Sequence, residues 1–132
     1  MKIGELAQRA GVGIDAIRFY EREALLPPAA RRASGYREYR SSDLDRLRFI
    51  RRAKALGFSL GEIRELMSLS QRSDGDMAAI RAAAAAKLAD VEAKLAELAR
   101  VRDALAGLVD ACPGHGEVER CPIVHALAGD TP

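Results

Sequence analysis

The chain has 132 residues, of which 48% are hydrophobic and 30% are charged, with a formal net charge of +2 and two cysteines. That is the length of a single domain, and the sequence contains neither a long uncharged apolar run typical of a membrane span nor the apolar stretch of a signal peptide near its N-terminus. We therefore expect a soluble, cytoplasmic protein whose cysteines are reduced.

The small net charge conceals an asymmetric distribution. Residues 1–60 carry a net charge of +6 and residues 61–132 carry −4. All six aromatic residues lie in the basic part and both cysteines lie in the acidic part. Cations release the counterions condensed on a phosphate backbone, and tyrosine hydroxyls donate to phosphate oxygens. A solvated surface explains such a charge excess more simply when nothing else supports it, so the order of the residues must decide.

The first two predicted elements are short helices. Residues 3–10 place their apolar side chains on one helical face, and Gly11 ends that helix. A second helix begins at about Ile14, after another glycine that serves as N-cap. Two short helices joined by a tight turn that contains glycine are typical of a helix-turn-helix. The second helix carries Arg18 and Tyr20, and we expect its outer face to enter a DNA major groove.

A small hairpin, or wing, is predicted next. Pro27 and Pro28 stop the second helix, and Ser34 with Gly35 marks a turn. The alternating residues 36–39 then indicate a short strand. The tip has too few apolar residues to build a core, so phosphate contact is its expected role. The side chains available for that contact are Arg31, Arg32, Tyr36 and Arg37.

Two further helices follow the wing. The third begins at Ser41 or Ser42 and ends at Leu56, and the fourth opens with the capping box Ser59–Glu62. Lys54 extends the basic face of the third helix or belongs to a solvated exterior, and the same holds for its neighbours Arg51 and Arg52. The predicted buried side of the fourth helix consists of Ile63, Leu66, Met67 and Leu69.

A long helix is predicted from about Met77 to Asp110, because this stretch has no proline and only one glycine. Its apolar residues follow a heptad repeat that only Arg102 interrupts. A single helix cannot bury such a stripe by itself, so we expect a homodimer. The residues of the stripe are Leu88, Val91, Leu95, Leu98, Leu105 and Val109.

The two cysteines bracket a short loop after the long helix. Pro113 and Gly114 turn the chain directly after Cys112. Pro122 suits the first position of a short final helix, which makes Cys121 its N-cap. The helix dipole and the free amides at that position lower the pKa of a thiol and favour the thiolate.

Three interpretations of this pair remain open. The cysteines are inert thiols, or a reversible disulfide that makes the protein a redox switch, or ligands of a metal ion. Two thiolates suit a soft monovalent ion such as Cu(I). Zinc requires four ligands, although each histidine of this segment taken alone is typical of an exposed residue. The set that the sequence offers to zinc is Cys112, His115, Cys121 and His125.

Several motifs together resemble the MerR family of transcription regulators, over nearly the whole chain. They are residues 17–21 (IRFYE), residues 35–39 (GYREY), residues 57–60 (GFSL), the long helix and the loop from Cys112 to Ile123. The resemblance implies a mainly α protein: a winged helix-turn-helix domain (1–70), a dimerisation helix in an antiparallel coiled coil (76–110), and a metal-binding loop with a short helix and tail (111–132).

This resemblance also implies a function. The dimer binds promoter DNA, and metal binding at the loop reshapes the dimer so that the DNA is bent and untwisted and RNA polymerase engages the promoter. No catalytic pairing of histidine with aspartate or serine is present, and an enzyme is not expected. Carried over by position, the DNA-binding residues are Arg18, Tyr20, Arg31, Tyr36, Arg37 and Lys54.

The metal ligands carried over from the family are Cys112 and Cys121. Divalent-metal sensors of this family have a third cysteine at the start of the dimerisation helix, donated by the partner subunit, and here Met77 stands at about that place. The chain in this respect resembles the copper-efflux sensors, which respond to Cu(I), Ag(I) and Au(I). Eight residues separate the two cysteines, however, against the usual seven of those sensors. A divalent response to Zn(II), Cd(II), Pb(II) or Hg(II) therefore stays open, with Met77, His115 and His125 as additional ligands.

Overall fold

The computed structural model describes residues 1–31, 35, 37–72, 74–75 and 77–129. The chain divides into two compact units, residues 1–83 and residues 84–132. The predicted mainly α fold is confirmed. Its elements are α1 (Ile3–Ala10), α2 (Ile14–Arg22), β1 (Ala30–Arg31), β2 (Arg37–Glu38), α3 (Ser41–Ala55), α4 (Leu60–Gln71), α5 (Met77–Ala111), a 3₁₀ turn (Val118–Arg120) and α6 (Pro122–Ala128).

The turn between α1 and α2 depends on a glycine. Gly11 has a φ of 68°, in the left-handed region, and its N–H is directed at the carbonyl oxygens of Ala7 and Gln8 at the end of α1. Glycine adopts this conformation without the steric cost that a Cβ would impose. Gly13 then provides an extended N-cap for α2. The predicted helix-turn-helix pair and both of its glycine boundaries are confirmed.

The wing is a two-stranded antiparallel hairpin. Ala30 pairs with Glu38 and Arg31 pairs with Arg37. Two residues predicted at its tip, Arg32 and Tyr36, lie outside the described residues, and only the backbone of Arg31 is described.

Both helices that follow the wing are capped by side chains. The Asp43 carboxylate accepts a hydrogen bond of 2.8 Å from the N–H of Arg40 at the start of α3. At the start of α4, the N–H of Ser59 donates to Oε1 of Glu62 over 2.8 Å, and the N–H of Glu62 donates to Oγ of Ser59 over 3.2 Å. The predicted capping box is therefore present. It satisfies two of the backbone donors that a helix N-terminus leaves without partners.

One hydrophobic core joins α1 to α4 with the loop after α2 and the residue that follows β2. It fixes the orientation of α2, because Ile17 on its inner face is fully buried. Leu69, predicted on the buried side of α4, is only half-buried. The largest fully buried side chains are Leu6, Ile17, Leu25, Leu26, Leu47, Ile50 and Ile63.

Helix α5 is 35 residues long and has no buried residue. Its bounds agree with the predicted helix to within one residue. Every residue of the heptad stripe is exposed, and Leu95 and Leu98 have exposed fractions of 61% and 64%. Within the described part of the chain, no helix is both long enough and apolar enough to cross a membrane.

Candidate DNA-binding surface and metal centre

Helix α2 carries the two residues that were predicted to read DNA. Arg18 lies on its exposed face, whereas Tyr20 is only 6% exposed and belongs to the core. The ring of Tyr20 packs against that of Phe19, with the two centroids 5.7 Å apart. The expectation that Tyr20 faces outward with Arg18 is wrong. The two positions lie about 200° apart around a helix, so they cannot share one face.

Arg37 on β2 connects the wing to α2. Its Nη1 lies 3.4 Å from Oε2 of Glu21, at the end of α2. The other carboxylate oxygen of Glu21 accepts a hydrogen bond from the hydroxyl of Tyr39, which is buried. Burial raises the pKa of Tyr39 above its ordinary value, and the hydrogen bond to Glu21 adds to the shift. One carboxylate thus holds both a predicted phosphate contact and a core tyrosine.

Sequence reasoning missed the roles of Glu21 and Tyr39. The signal available was a single acid directly after the aromatic pair Phe19 and Tyr20 in a basic region. Lys54, by contrast, lies where it was predicted, exposed in the last turn of α3. The first unit of the structure therefore presents Arg18, Arg37 and Lys54 to solvent.

The second unit brings the two cysteines together. The sulfur atoms of Cys112 and Cys121 lie 4.0 Å apart, and both residues are partly exposed. Cys112 directly follows α5, and its N–H is directed at the carbonyl oxygens of Leu108 and Val109. Cys121 is the N-cap of α6, as predicted from the proline that follows it. The intervening loop turns at Gly114, whose φ of 78° is left-handed.

The pKa of the Cys121 thiol lies below the ordinary value for cysteine. The backbone N–H of Val124 lowers its pKa most, against an opposing effect of desolvation, and the N–H of Ile123 and the thiol of Cys112 lower it further. These amides belong to the first turn of α6, where they have no partner within the helix. The predicted effect of the helix N-terminus on this thiol is confirmed in direction.

The two histidines do not join the cysteines. Nδ1 of His115 lies 3.1 Å from the carbonyl oxygen of Pro113, and Nε2 of His125 contacts the carbonyl oxygen of Glu119. A carbonyl can only accept, so each of these ring nitrogens is the donor. Among the described residues, no group of three or more histidine, cysteine, aspartate or glutamate side chains is placed to hold a metal ion. The predicted four-ligand zinc set of Cys112, His115, Cys121 and His125 is therefore not assembled within one chain.

Met77, the other residue considered as an additional ligand, is 85% exposed in the first turn of α5. That helix has its last residue directly before Cys112. Met77 is thus not part of the loop that the two cysteines bracket.

The separation of the sulfurs fits a thiophilic metal ion. With metal–sulfur bonds of about 2.3 Å, two sulfurs stand about 3.8 Å apart in a tetrahedral site and about 4.6 Å apart in a linear one. The observed 4.0 Å lies between these values. A disulfide, with its S–S bond of about 2.05 Å, requires the two sulfurs to approach by roughly a further 2 Å. Cys112 and Cys121 are therefore closer to a metal-binding geometry than to a disulfide.

Two family descriptions match the sequence. The description "MerR HTH family regulatory protein" matches residues 1–70, and "MerR, DNA binding" matches residues 44–108. The first range contains α1 to α3, the wing and all but the last residue of α4, and the second contains most of α3, all of α4 and most of α5.

Individual proteins match almost end to end. An HTH-type transcriptional regulator of Pseudomonas aeruginosa is 44% identical, over 97% of this chain and 96% of its own. The mercuric resistance operon regulatory protein of Bacillus cereus is 36% identical, over 96% of each chain. The crystal structure of the transcription regulator PbrR691 from Ralstonia metallidurans, in complex with lead(II), superimposes with a TM-score of 0.86 at 36% identity and covers 96% of this chain and 98% of its own.

Proposed function

Since the chain belongs to the MerR family of helix-turn-helix transcription regulators, in its metal-sensing branch, we propose that it binds promoter DNA as a homodimer and senses Cu(I), Ag(I) or Au(I) through Cys112 and Cys121. The observation that carries this proposal is the convergence of two thiols at 4.0 Å without a third donor of the usual types among the described residues.

In the proposed complex, α2 lies in the major groove. Arg18 on its exposed face contacts base edges or the adjacent backbone, and Arg37 and Lys54 contact phosphates. Arg31 and Tyr36 are assigned to the wing contacts from the sequence alone. Tyr20 has a different role, because its buried ring holds α2 against the core and so positions Arg18.

The proposed dimer forms through α5. Its exposed heptad stripe needs an apolar partner surface, and the same stripe on a second copy provides one. We infer antiparallel pairing from the family resemblance. Bending or untwisting a DNA site costs of the order of 1–6 kcal/mol. An ion that binds one dimer conformation more tightly than the other can supply free energy of this size, and RNA polymerase then engages the distorted promoter.

The donor set favours a monovalent ion. Two thiolates and low coordination suit Cu(I) and its heavier congeners, whereas a tetrahedral divalent ion needs two further ligands. No third donor of the histidine, cysteine, aspartate or glutamate type is grouped with the two thiols in the described part of the chain. Two relatives of this chain are associated with divalent metals, since one regulates a mercuric resistance operon and the other is bound to lead(II) in its crystal structure. The identity of the ion is therefore the point to test.

An anaerobic competition titration of the full-length protein with Cu(I), Zn(II), Hg(II) and Pb(II), followed by X-ray absorption on each complex, tests the proposal. We expect Cu(I) to bind most tightly, with two sulfur neighbours and no nitrogen. Three or four ligands, or nitrogen in the shell of the preferred ion, would assign a divalent sensor. The His115→Ala and His125→Ala variants serve as controls and should bind Cu(I) as the wild type does.

A transcription assay on the same protein distinguishes a metal sensor from a thiol redox switch. A sensor keeps both thiols free under reducing conditions and responds to the ion. A redox switch forms the Cys112–Cys121 disulfide on mild oxidation and responds to that oxidation without metal. Transcription measured with each stimulus alone distinguishes the two, and activation by the oxidant only would overturn the proposal.

A further inference from the structure

An arginine-lined groove lies between α1 and α3, and none of Arg18, Arg37 and Lys54 lines it. Its cavity has a volume of about 300 Å³. Four of the six residues that line it are arginines, and none is an acid. We name this feature the arginine groove, and its lining residues are Arg9, Ala10, Arg48, Arg51, Arg52 and Ala55.

Only part of this positive charge is compensated. Arg9 forms an ion pair of 2.9 Å with Glu5 on the same helix. Arg51 donates to the carbonyl oxygen of Ala10 over 3.2 Å. Arg48 and Arg52 are exposed and form no ion pair with any residue in the described part of the chain. Guanidinium groups gathered in this way repel one another, so they stabilise a bound anion that lies between them.

The groove is built into the helix-turn-helix. Arg51 packs against Gly11, the residue that turns the chain from α1 to α2, and a Cβ at that position would lie 2.3 Å from Nη1 of Arg51. Helix α2 begins at Ile14, three residues later. Arg51 therefore connects the arginine groove to the turn that precedes the DNA-reading helix.

We propose that the arginine groove is a second binding site for DNA phosphate, contacting the backbone beside the segment that α2 reads. The inference rests on the proposed function and extends it. The planar guanidinium fork matches two phosphate oxygens at once, and the sugar-phosphate strand presents one negative charge per step. The site carries no base-reading geometry, so it adds affinity for every DNA sequence alike.

The test uses variants that remove charge without removing structural contacts. Arg48→Gln and Arg52→Gln are suitable, because neither side chain has an ion-pair partner to lose among the described residues. Arg100→Gln is the matched control, since Arg100 is exposed on α5 at the outer heptad position. Binding of each full-length variant to a random-sequence duplex is measured by fluorescence anisotropy over a range of KCl concentrations, with thermal unfolding as a check on folding.

The slope of log K against log salt is negative. We expect each groove variant to reduce its magnitude by about 0.9, and the double variant to reduce it by about twice that. Arg100→Gln should keep the wild-type slope. Wild-type slopes in both groove variants would overturn the inference while leaving the proposed function intact, whereas a wild-type protein that binds no DNA would overturn both. Unchanged DNA binding with reduced metal-dependent transcription would assign the groove to an acidic protein surface and would also overturn the phosphate site.

Discussion

The Glu21 side chain connects α2 to the wing and to the residue that follows it. Its carboxylate receives Arg37 from one side and the Tyr39 hydroxyl from the other, and Glu21 itself is only half-buried. A carboxylate so placed lowers the freedom of Arg37 before DNA is bound. It also partly neutralises that arginine, so the geometry of the wing is secured at some cost in charge.

The Tyr39→Phe variant tests this link through pH. The pKa of Tyr39 is raised above its unfolded value of about 10, so the native state keeps a proton that the unfolded state releases. The contribution of this group to stability is therefore fully present below pH 10 and is lost as the pH rises through the native pKa. Removing the hydroxyl should abolish this part of the alkaline loss.

At neutral pH the same variant should lower the free energy of unfolding by about 1 to 2 kcal/mol, because the Glu21 carboxylate loses a donor. Urea unfolding at pH 7 and at pH 11, at one fixed protein concentration, measures both effects. An equal alkaline loss in wild type and Tyr39→Phe would show that this hydroxyl does not carry it.

The Cys112→Ser variant tests the sensor. Loss of one of two sulfur ligands should abolish metal-induced transcription, while operator binding stays near wild type because Cys112 lies in the other unit from α2. Gel-shift titration and a metal-dependent transcription assay measure the two properties. Lost DNA binding in this variant would count against the loop being only a sensor.

The positions of individual residues could be predicted from the sequence where covalent structure restricts the backbone. Cys121 was identified as an N-cap because Pro122 lacks an N–H and fits the first turn of a helix. Tyr20 was placed on the wrong face, because a nine-residue helix with mixed polarity does not reveal which side meets the core. The histidines were grouped with the cysteines by their nearness in sequence, and backbone carbonyls that the sequence does not reveal decide where the rings point.

Among the elements, α4 has the best-defined start. Its capping box was legible in the sequence because it depends on two residues at fixed spacing, and both hydrogen bonds are present. For the wing, the sequence predicted a hairpin but not which residues pair, because each strand has only two residues. Pairing of such short strands is decided by the contacts of the surrounding core rather than by their own pattern.

The Ser59→Ala variant should lower the free energy of unfolding by about 1 kcal/mol, because the N–H of Glu62 loses its acceptor. Ser68→Ala, an exposed change in the interior of the same helix, is the control and should leave stability unchanged or slightly higher. Chemical denaturation of both variants makes the comparison. Equal stabilities would show that the capping box contributes nothing measurable.

For the whole molecule, the exposed stripe of α5 matters most. Helix length and heptad phase were predictable, because alanine and leucine favour the helix and proline is absent over 35 residues. In the proposed dimer a second copy covers the stripe, and the direction of that copy cannot be read from the spacing of Leu88 and Leu95. Heptads are periodic in both directions along a helix.

The Leu95→Lys variant should dissociate the proposed dimer. Each leucine contributes about 2 kcal/mol when it is buried, and a dimer loses two of them, which corresponds to a rise of about three orders of magnitude in the dissociation constant. Ala93→Lys introduces the same charge at an exposed outer heptad position and should leave the dimer intact. Sedimentation velocity at matched concentrations decides, and a dimeric Leu95→Lys protein would place the interface elsewhere.

The position of Cys121 as the first residue outside a seven-residue helix has a thermodynamic consequence. In the proposed metal site the two sulfurs form a preorganised chelate, because folding has already closed the loop between them. When α6 frays, one donor leaves and the effective concentration of the second sulfur at the ion falls. The metal concentration at which the regulator responds then depends on the stability of α6. Residues of this helix that do not contact the ion, such as Ala126, can therefore change that concentration.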